Sequence, residues 1–376
     1  MSNLFAQKGV QAMLNLQEFG LSVRIPCKMK PRKTEQIPQD DLFLLRLDQM
    51  LNQRHALYKL ASQIDWSAAE EQFGNLYSEE GRPGISIRLM VGLHYLKHTY
   101  NLSDEEVVAH WAENPYWQHF CGETYFQHQL PIDPSQMTRF RKRIGEAGCE
   151  FMLGLTIHAG IATRTVSASS LAVVNVDTTV QEKAIAFPTD ARLYHKARAA
   201  LVRNAKRAGI TLRQSYERVS KLALAKNERY AHARQMRRSK KERRLRTYLG
   251  RVIRDIDRKL PEEHATKMNK LLEIARRILT QQRHDKSKVT SMHAPEVECI
   301  AKGKAHKPYE FGIKVGVVST NKESFVIGMK SLPGNLYDGH SLKPSLAQVE
   351  RLTGTLPREV YVDRGYKGHG VNGVTI

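Results

Sequence analysis

Apolar residues recur at helical intervals over much of this chain, and strand-like alternation replaces them in two places. Leu42, Leu44, Leu45, Leu47, Met50 and Leu51 form a 3.6-residue stripe, with Asp40 and Asp41 placed to cap it. GRPG at 81–84 interrupts the pattern, and Ile87, Leu89, Met90, Leu93 and Leu96 then predict a second helix face. Ser103 and Glu106 have capping-box spacing, so a further helix is predicted from Asp104. After Pro131 and Pro134, Ser135–Arg143 reads as a short basic helix. Residues 1–40, ending in KPRKTEQIPQ, read as an arm, and 41–150 as an all-α domain of helix-turn-helix type.

Leu171-Ala172-Val173-Val174-Asn175-Val176 is the first strand signal, and it ends in Asp177-Thr178-Thr179. Pro188-Thr189-Asp190 opens a long helical block. Within it Leu245, Leu249, Val252, Ile256 and Leu260 follow i, i+4, i+7, i+11, i+15, a seam of coiled-coil type. Pro261-Glu262-Glu263 punctuates the block, and Leu271, Leu272, Ala275, Ile278 and Leu279 continue in another helix. Helices packed as hairpins, basic residues outermost, are expected over 190–285. Alternation returns after His293: Phe311, Ile313, Val315 and Val317 alternate with Gly312, Lys314 and Gly316, and Phe325-Val326-Ile327 makes another strand. Leu332-Pro333-Gly334-Asn335 is a turn. Residues 339–353 form a helix with Leu342, Leu346, Val349 and Leu352 on one face, and Glu359–Asp363 is a strand ending on an aspartate. No element is predicted after Gly368.

Charge sharpens this division. The 376 residues carry a formal net charge of +21, and residues 192–289 account for all of it, with 30 Lys/Arg against 9 Asp/Glu. The rest of the chain balances. Such a block favours a polyanion, nucleic acid ahead of a membrane, because no Trp- or Phe-rich apolar face accompanies it. Gln7, Lys8, Gln11 and Glu18 break up any signal-peptide core, and no run approaches the roughly 18 apolar residues of a membrane span. Cys27, Cys121, Cys149 and Cys299 lie far apart without a CxxC pair, which argues against a zinc ribbon or a disulfide scaffold. A soluble intracellular protein is expected.

With the helical block set aside, the order is strand, strand, strand, helix, strand, and aspartates close the first and last strands. That is the opening of a ribonuclease H-like fold, in which carboxylates on neighbouring strands meet at one sheet end. The predicted class is α+β. An all-α N-terminal domain precedes an incomplete ribonuclease H-like α/β domain (165–190 and 291–376), which a basic helical insertion at 191–290 interrupts. Phosphoryl transfer on DNA uses carboxylates clustered around two divalent cations roughly 3.5–4 Å apart, and Mg²⁺ prefers such hard oxygen ligands. A lone aspartate at a strand end is ordinarily a turn cap. The pairing of Asp177 with Asp363 in this strand order is what makes them candidates.

The chain closely resembles bacterial insertion-sequence transposases of the DDE class that carry a helical N-terminal DNA-binding domain. The resemblance runs from about Asp40 to Gly370. It rests on LYSEEGRPGISIRLMVGLHYLKHTYNLSDEEVVAHWAENPYWQHFCGETYFQHQLP at 76–131, VDTTVQEKAIAFPTDARLYHKA at 176–197, HAPEVECIAKGKAHKPYEFGIKVGV at 293–317, LPGNLYDGH at 332–340 and VDRGYKGH at 362–369. It implies that Asp177 and Asp363 are the first and second catalytic acids and metal ligands, with two Mg²⁺ or Mn²⁺ ions in a complete site. The family's third acid, a glutamate on a later helix, has no counterpart, since the last glutamate here is Glu359. Losing ~3 kcal/mol at such a site costs a factor of about 100 in rate. A truncated or frameshifted copy, or the first half of a frameshifted product, is therefore expected.

The implied partners are double-stranded DNA, both the element's terminal inverted repeats and the target, and further copies of the chain in a paired-end complex. The implied place is the bacterial cytoplasm at the nucleoid, without a membrane. Two functions stand side by side: metal-dependent cleavage and strand transfer, and a catalytically inactive inhibitor that binds element ends. Candidate DNA contacts are Arg139, Arg141, Lys142 and Arg143 after Pro134. Further candidates are Arg237, Arg238, Lys240, Lys241, Arg243 and Arg244 in the basic block, and Arg364 and Lys367 beside Asp363. Against these stands the plainer expectation of solvated helix faces, with Phe140 as an anchor. His94 and His98 have metal-ligand spacing but no third partner, so a packed or surface pair is expected. Trp66, Trp111 and Trp117 are expected in the core.

Overall fold

The computed structural model describes residues 45–78, 84–229, 235–262, 265–282, 284–285, 287–301 and 306–376. The first helices are α1 (Leu47–Met50), α2 (Ala56–Gln63), α3 (Trp66–Gly74), α4 (Ile87–Tyr100), α5 (Asp104–Glu113), α6 (Pro115–Phe120) and α7 (Ser135–Ala162). Strand β1 (Val173–Glu182) follows, then α8 (Asp190–Arg207), α9 (Glu217–Arg229), α10 (Gln235–Lys259) and α11 (Ala265–Thr280). The chain continues through β2 (Glu298–Ala301), β3 (Tyr309–Thr320), β4 (Val326–Leu332), α12 (Asp338–Thr353) and β5 (Glu359–Val362). It divides into two compact units. The first holds the described residues up to Thr179 with Val315–Leu332 and Leu336–Ile376, and the second holds Val180–Lys314 with Pro333–Asn335.

In the first unit α4 is buried on more than one face. Leu89, Met90, Val91, Leu93 and Leu96 are all buried, as befits a central helix rather than a surface one. The capping box at α5 forms: Glu106 N–H donates to Ser103 Oγ at 3.1 Å, and Ser103 N–H to Glu106 Oε2 at 2.7 Å. Helix α7 runs nineteen residues past the predicted Arg143, broken at Gly145 (φ 61°, ψ −160°), a conformation that glycine adopts without strain. The early stripe is the weakest prediction. Leu47 is fully buried but Leu45 and Met50 are exposed, because the helix lasts one turn before Leu51 goes extended. Asp40, Asp41, Leu42 and Leu44 lie outside the described residues.

The same unit contains the strand order β4-β3-β1-β5. One apolar core joins helices and sheet, with Phe73, Trp111 and Met152 in the same cluster as Val174, Ile327, Leu346 and Val360. Trp66, Trp111 and Trp117 are buried in it, as expected. Helix α12 covers β4, and the Gln348 side chain accepts the Met329 N–H at 2.7 Å. Two local expectations change. Leu171 and Ala172 belong to a 3₁₀ turn (Ala168–Ala172), and β1 continues past Asp177 to Glu182 because Thr178, Val180 and their neighbours keep the alternation. After Gly368 the chain is not without partners: Thr375 forms a parallel bridge to Glu359, with Val360 N–H donating to Thr375 O at 2.8 Å.

The second unit has its own core. Leu245, Leu249, Val252 and Ile256 of the predicted seam are buried together with Tyr194, Leu201, Leu272 and Ile278 from α8 and α11. Strand β2, which was not predicted, pairs antiparallel with the start of β3, Cys299 opposite Phe311.

Candidate functional site

Strands β1 and β5 pair in parallel, with Val174 opposite Val360 and Val176 opposite Val362. Asp177 and Asp363 come next on each strand, so they stand level on neighbours about 4.8 Å apart, where parallel partners present one face. The ladder stops there. Beyond Val362 the chain turns into a 3₁₀ helix (Arg364–Tyr366), and Asp363 caps it by accepting the Arg364 N–H at 2.6 Å. Asp177 Oδ1 accepts the Thr178 N–H at 2.7 Å. Both side chains are exposed to solvent.

A third aspartate, which the sequence did not single out, completes the neighbourhood. Asp338 is the first residue of α12, and its Oδ1 accepts the Thr178 hydroxyl at 2.8 Å. Tyr366 is buried beside it. Burial, then the charges of Asp338 and Asp177, push the Tyr366 phenol well above its ordinary pKa, against smaller opposing effects of Ser341 and Thr178, so it stays protonated. The first turn of α12 also approaches the segment after Asp363 closely. A Cβ on Gly339 would lie 2.8 Å from the Lys367 carbonyl oxygen, and one on Gly365 would lie 3.7 Å from Asp338 Oδ2. The signal for Asp338 was its place in LPGNLYDGH, but an aspartate opening a helix already has a structural explanation.

Two exposed carboxylates on adjacent strands are the hard oxygen donors that Mg²⁺ or Mn²⁺ takes, with water and phosphate oxygens completing the shell. The donor set fits one such ion. No group of three His, Cys, Asp or Glu side chains able to hold a metal occurs among the described residues.

The basic candidates fall into both units. Arg139 and Lys142 are exposed on α7, whereas Arg141 is engaged: its fork meets both oxygens of Asp104 at 2.9 and 2.6 Å. Arg143 lies over the Tyr77 ring at 4.7 Å, and with Arg139 it lines a small cavity floored by Met90 and Phe140. Arg364 and Lys367 are exposed beyond Asp363. In the second unit Lys240, Arg243 and Arg244 are exposed and Lys241 half-buried on α10, and the Arg237 and Arg238 side chains lie outside the described residues.

A Rhizobium meliloti protein, described as Uncharacterized protein ORF8 in nfe locus, is 57% identical over 197 residues, which are 52% of this chain and 95% of that protein. The chain belongs to that protein's family. Residues 45–143 match the family described as Transposase domain (DUF772), so the chain is transposase-like. No solved structure matches it.

Within residues 45–143 several polar residues are committed to structure. Burial works to raise the Asp104 carboxyl, but hydrogen bonds and charge from Arg141 and Lys97 outweigh it and hold Asp104 well below the usual carboxylate range. His94 and His98 are buried side by side on α4, as the packed-pair expectation has it. His94 Nδ1 lies 2.6 Å from the Met90 carbonyl, and burial pushes the two rings down to about 4 and about 3.

Proposed function

We propose that this chain is the DNA transposase of an insertion sequence, acting by metal-dependent phosphodiester cleavage and strand transfer at element ends. The observation that carries this reading is the β1–β5 register, which sets Asp177 level with Asp363. The strand order β4-β3-β1-β5, with α12 as the crossover before the parallel strand β5, supports a ribonuclease H-like core in 165–190 and 291–376. Residues 41–150 then form the helical DNA-binding domain behind the arm at 1–40. The insertion at 191–290, which carries the whole net charge, binds the phosphate backbone.

Asp177 and Asp363 would hold Mg²⁺ or Mn²⁺ through their exposed oxygens. A metal held there would supply the means to lower the pKa of an attacking water and to stabilise a departing 3′-oxygen. In hydrolysis the water oxygen bonds to phosphorus as the 3′-oxygen leaves. In strand transfer the freed 3′-hydroxyl attacks a target phosphodiester, and the target's 3′-oxygen leaves. Neither step forms a bond to the protein. Arg364 and Lys367 supply cationic groups beside Asp363 that hold the DNA phosphate. The chain works in a paired-end complex of several copies in the bacterial cytoplasm. No helix among the described residues is long and apolar enough to cross a membrane.

A second reading is an end-binding protein without catalysis, for which the exposed Lys240, Arg243 and Arg244 of the basic insertion would suffice. A strand-transfer assay with Mg²⁺ or Mn²⁺, on DNA carrying the inverted repeats that flank the gene, separates the two. The enzyme reading expects joined products that disappear in Asp177→Asn and in Asp363→Asn. Specific end binding with no cleavage by the wild-type chain overturns it in favour of the inhibitor.

A further inference from the structure

Resting on that catalytic reading, we infer that Asp338 is a positioning residue, which acts through the Thr178 hydroxyl to hold Asp177 level with Asp363. Helix α12 begins after Tyr337, a residue whose side chain makes no capping hydrogen bond, and the Asp338 carboxylate in its first turn reaches away to β1 instead. There Oδ1 accepts from Thr178 Oγ1 at 2.8 Å, while the N–H of the same Thr178 donates to Asp177 Oδ1 at 2.7 Å. Thr178 is therefore fastened on both sides, and its backbone orients the neighbouring carboxylate.

Asp338 also faces the exit of the other strand. Gly365 places open backbone beside its Oδ2, and Gly339 lets the helix come within van der Waals reach of Lys367. Buried Tyr366 packs into the same corner, beside Asp338 and Thr178. One carboxylate thus joins the segment that follows Asp177 to the segment that follows Asp363. Groups that orient metal-binding carboxylates in this way typically change metal affinity 10- to 100-fold when removed.

The test measures Mn²⁺ binding to the full chain by electron paramagnetic resonance, with thermal unfolding alongside, for the wild type and for Thr178→Val, Thr178→Ser, Asp338→Ala and Asp177→Asn. Thr178→Val keeps shape and loses the hydroxyl, and it is expected to weaken Mn²⁺ about 10-fold or more with an unchanged number of ions per chain. Thr178→Ser restores the wild-type affinity. Asp338→Ala, which leaves the Thr178 hydroxyl without its acceptor, weakens binding to a similar degree, and combining it with Thr178→Val adds little, because the two act through one hydrogen bond. Unchanged affinity in Thr178→Val, at a wild-type unfolding temperature, overturns the inference while leaving the catalytic reading intact. Fewer ions per chain in Asp338→Ala also overturns it, since Asp338 would then be a ligand. No Mn²⁺ binding by the wild type, or binding that Asp177→Asn does not reduce, overturns the metal reading and this inference together.

Discussion

Gly339 lacks a side chain for a reason that can be measured. A Cβ at this position would meet the Lys367 carbonyl oxygen at 2.8 Å and the Tyr337 ring at 2.9 Å, and backbone cannot rotate out of the way as a long side chain can. Gly339→Ala is expected to cost about 1–3 kcal/mol in urea unfolding, the usual penalty for overpacking. Because the strain falls beside Asp338, the same variant is expected to weaken Mn²⁺ binding more than an alanine placed on the exposed side of α12. Single residues were the least legible scale in this sequence. Asp177 and Asp363 were legible only as a pair, because they close the first and last strands of the predicted order. Asp338 and Thr178 drew no attention, since an aspartate at a helix start and a threonine in a strand are already explained by local preference. Their hydrogen bond joins positions 160 apart, which no local pattern records.

At the scale of elements, periodicity served well wherever a helix buries a continuous stripe. Ile87–Leu96 and the seam from Leu245 to Ile256 were legible because their apolar spacing follows the helical turn. The start of α5 was legible from two residues, Ser103 and Glu106. Ser103→Ala removes one half of that box and is expected to destabilise the protein by ~1 kcal/mol, read as a lower urea midpoint with an unchanged slope. What stayed hidden were elements held by backbone pairing. Strand β2 is four residues long with one buried side chain, Ile300, too short to set up an alternation. The bridge from Thr375 to Glu359 uses main-chain groups, which every residue carries. The described part of the early stripe, 45–51, erred the other way, because apolar spacing does not say how many turns a core will cover.

For the whole molecule, charge and burial set different pH behaviour in different places. The folded chain keeps His94 and His98 neutral, with pKa values pushed by burial to about 4 and about 3, while the unfolded chain takes up protons below about 6.5. Lys97 and Arg141 add to the depression and Asp104 opposes it. The stability these rings contribute is therefore full above about pH 6.5 and is lost as pH falls toward 4, by as much as ~2.7 kcal/mol per pH unit when two protons are involved. Urea midpoints measured at pH 7.5, 6 and 5 are expected to fall along that course, and replacing both histidines by leucine is expected to flatten it. Below about 4 the protonation of Asp104, held low by Arg141 and Lys97, removes a further contribution.

The ladder between β1 and β5 is four residue pairs long, and those pairs set where Asp363 stands. In terms of the gene, they are four codons whose number matters more than their spelling. Any β-forming residue serves at the exposed positions 359 and 361, but one codon gained or lost there moves Asp363 out of level with Asp177 and turns it to the opposite face. The same slip in residues 354–357 is absorbed by a loop. A lineage of such genes would tolerate substitution along β5 far better than a change in its length.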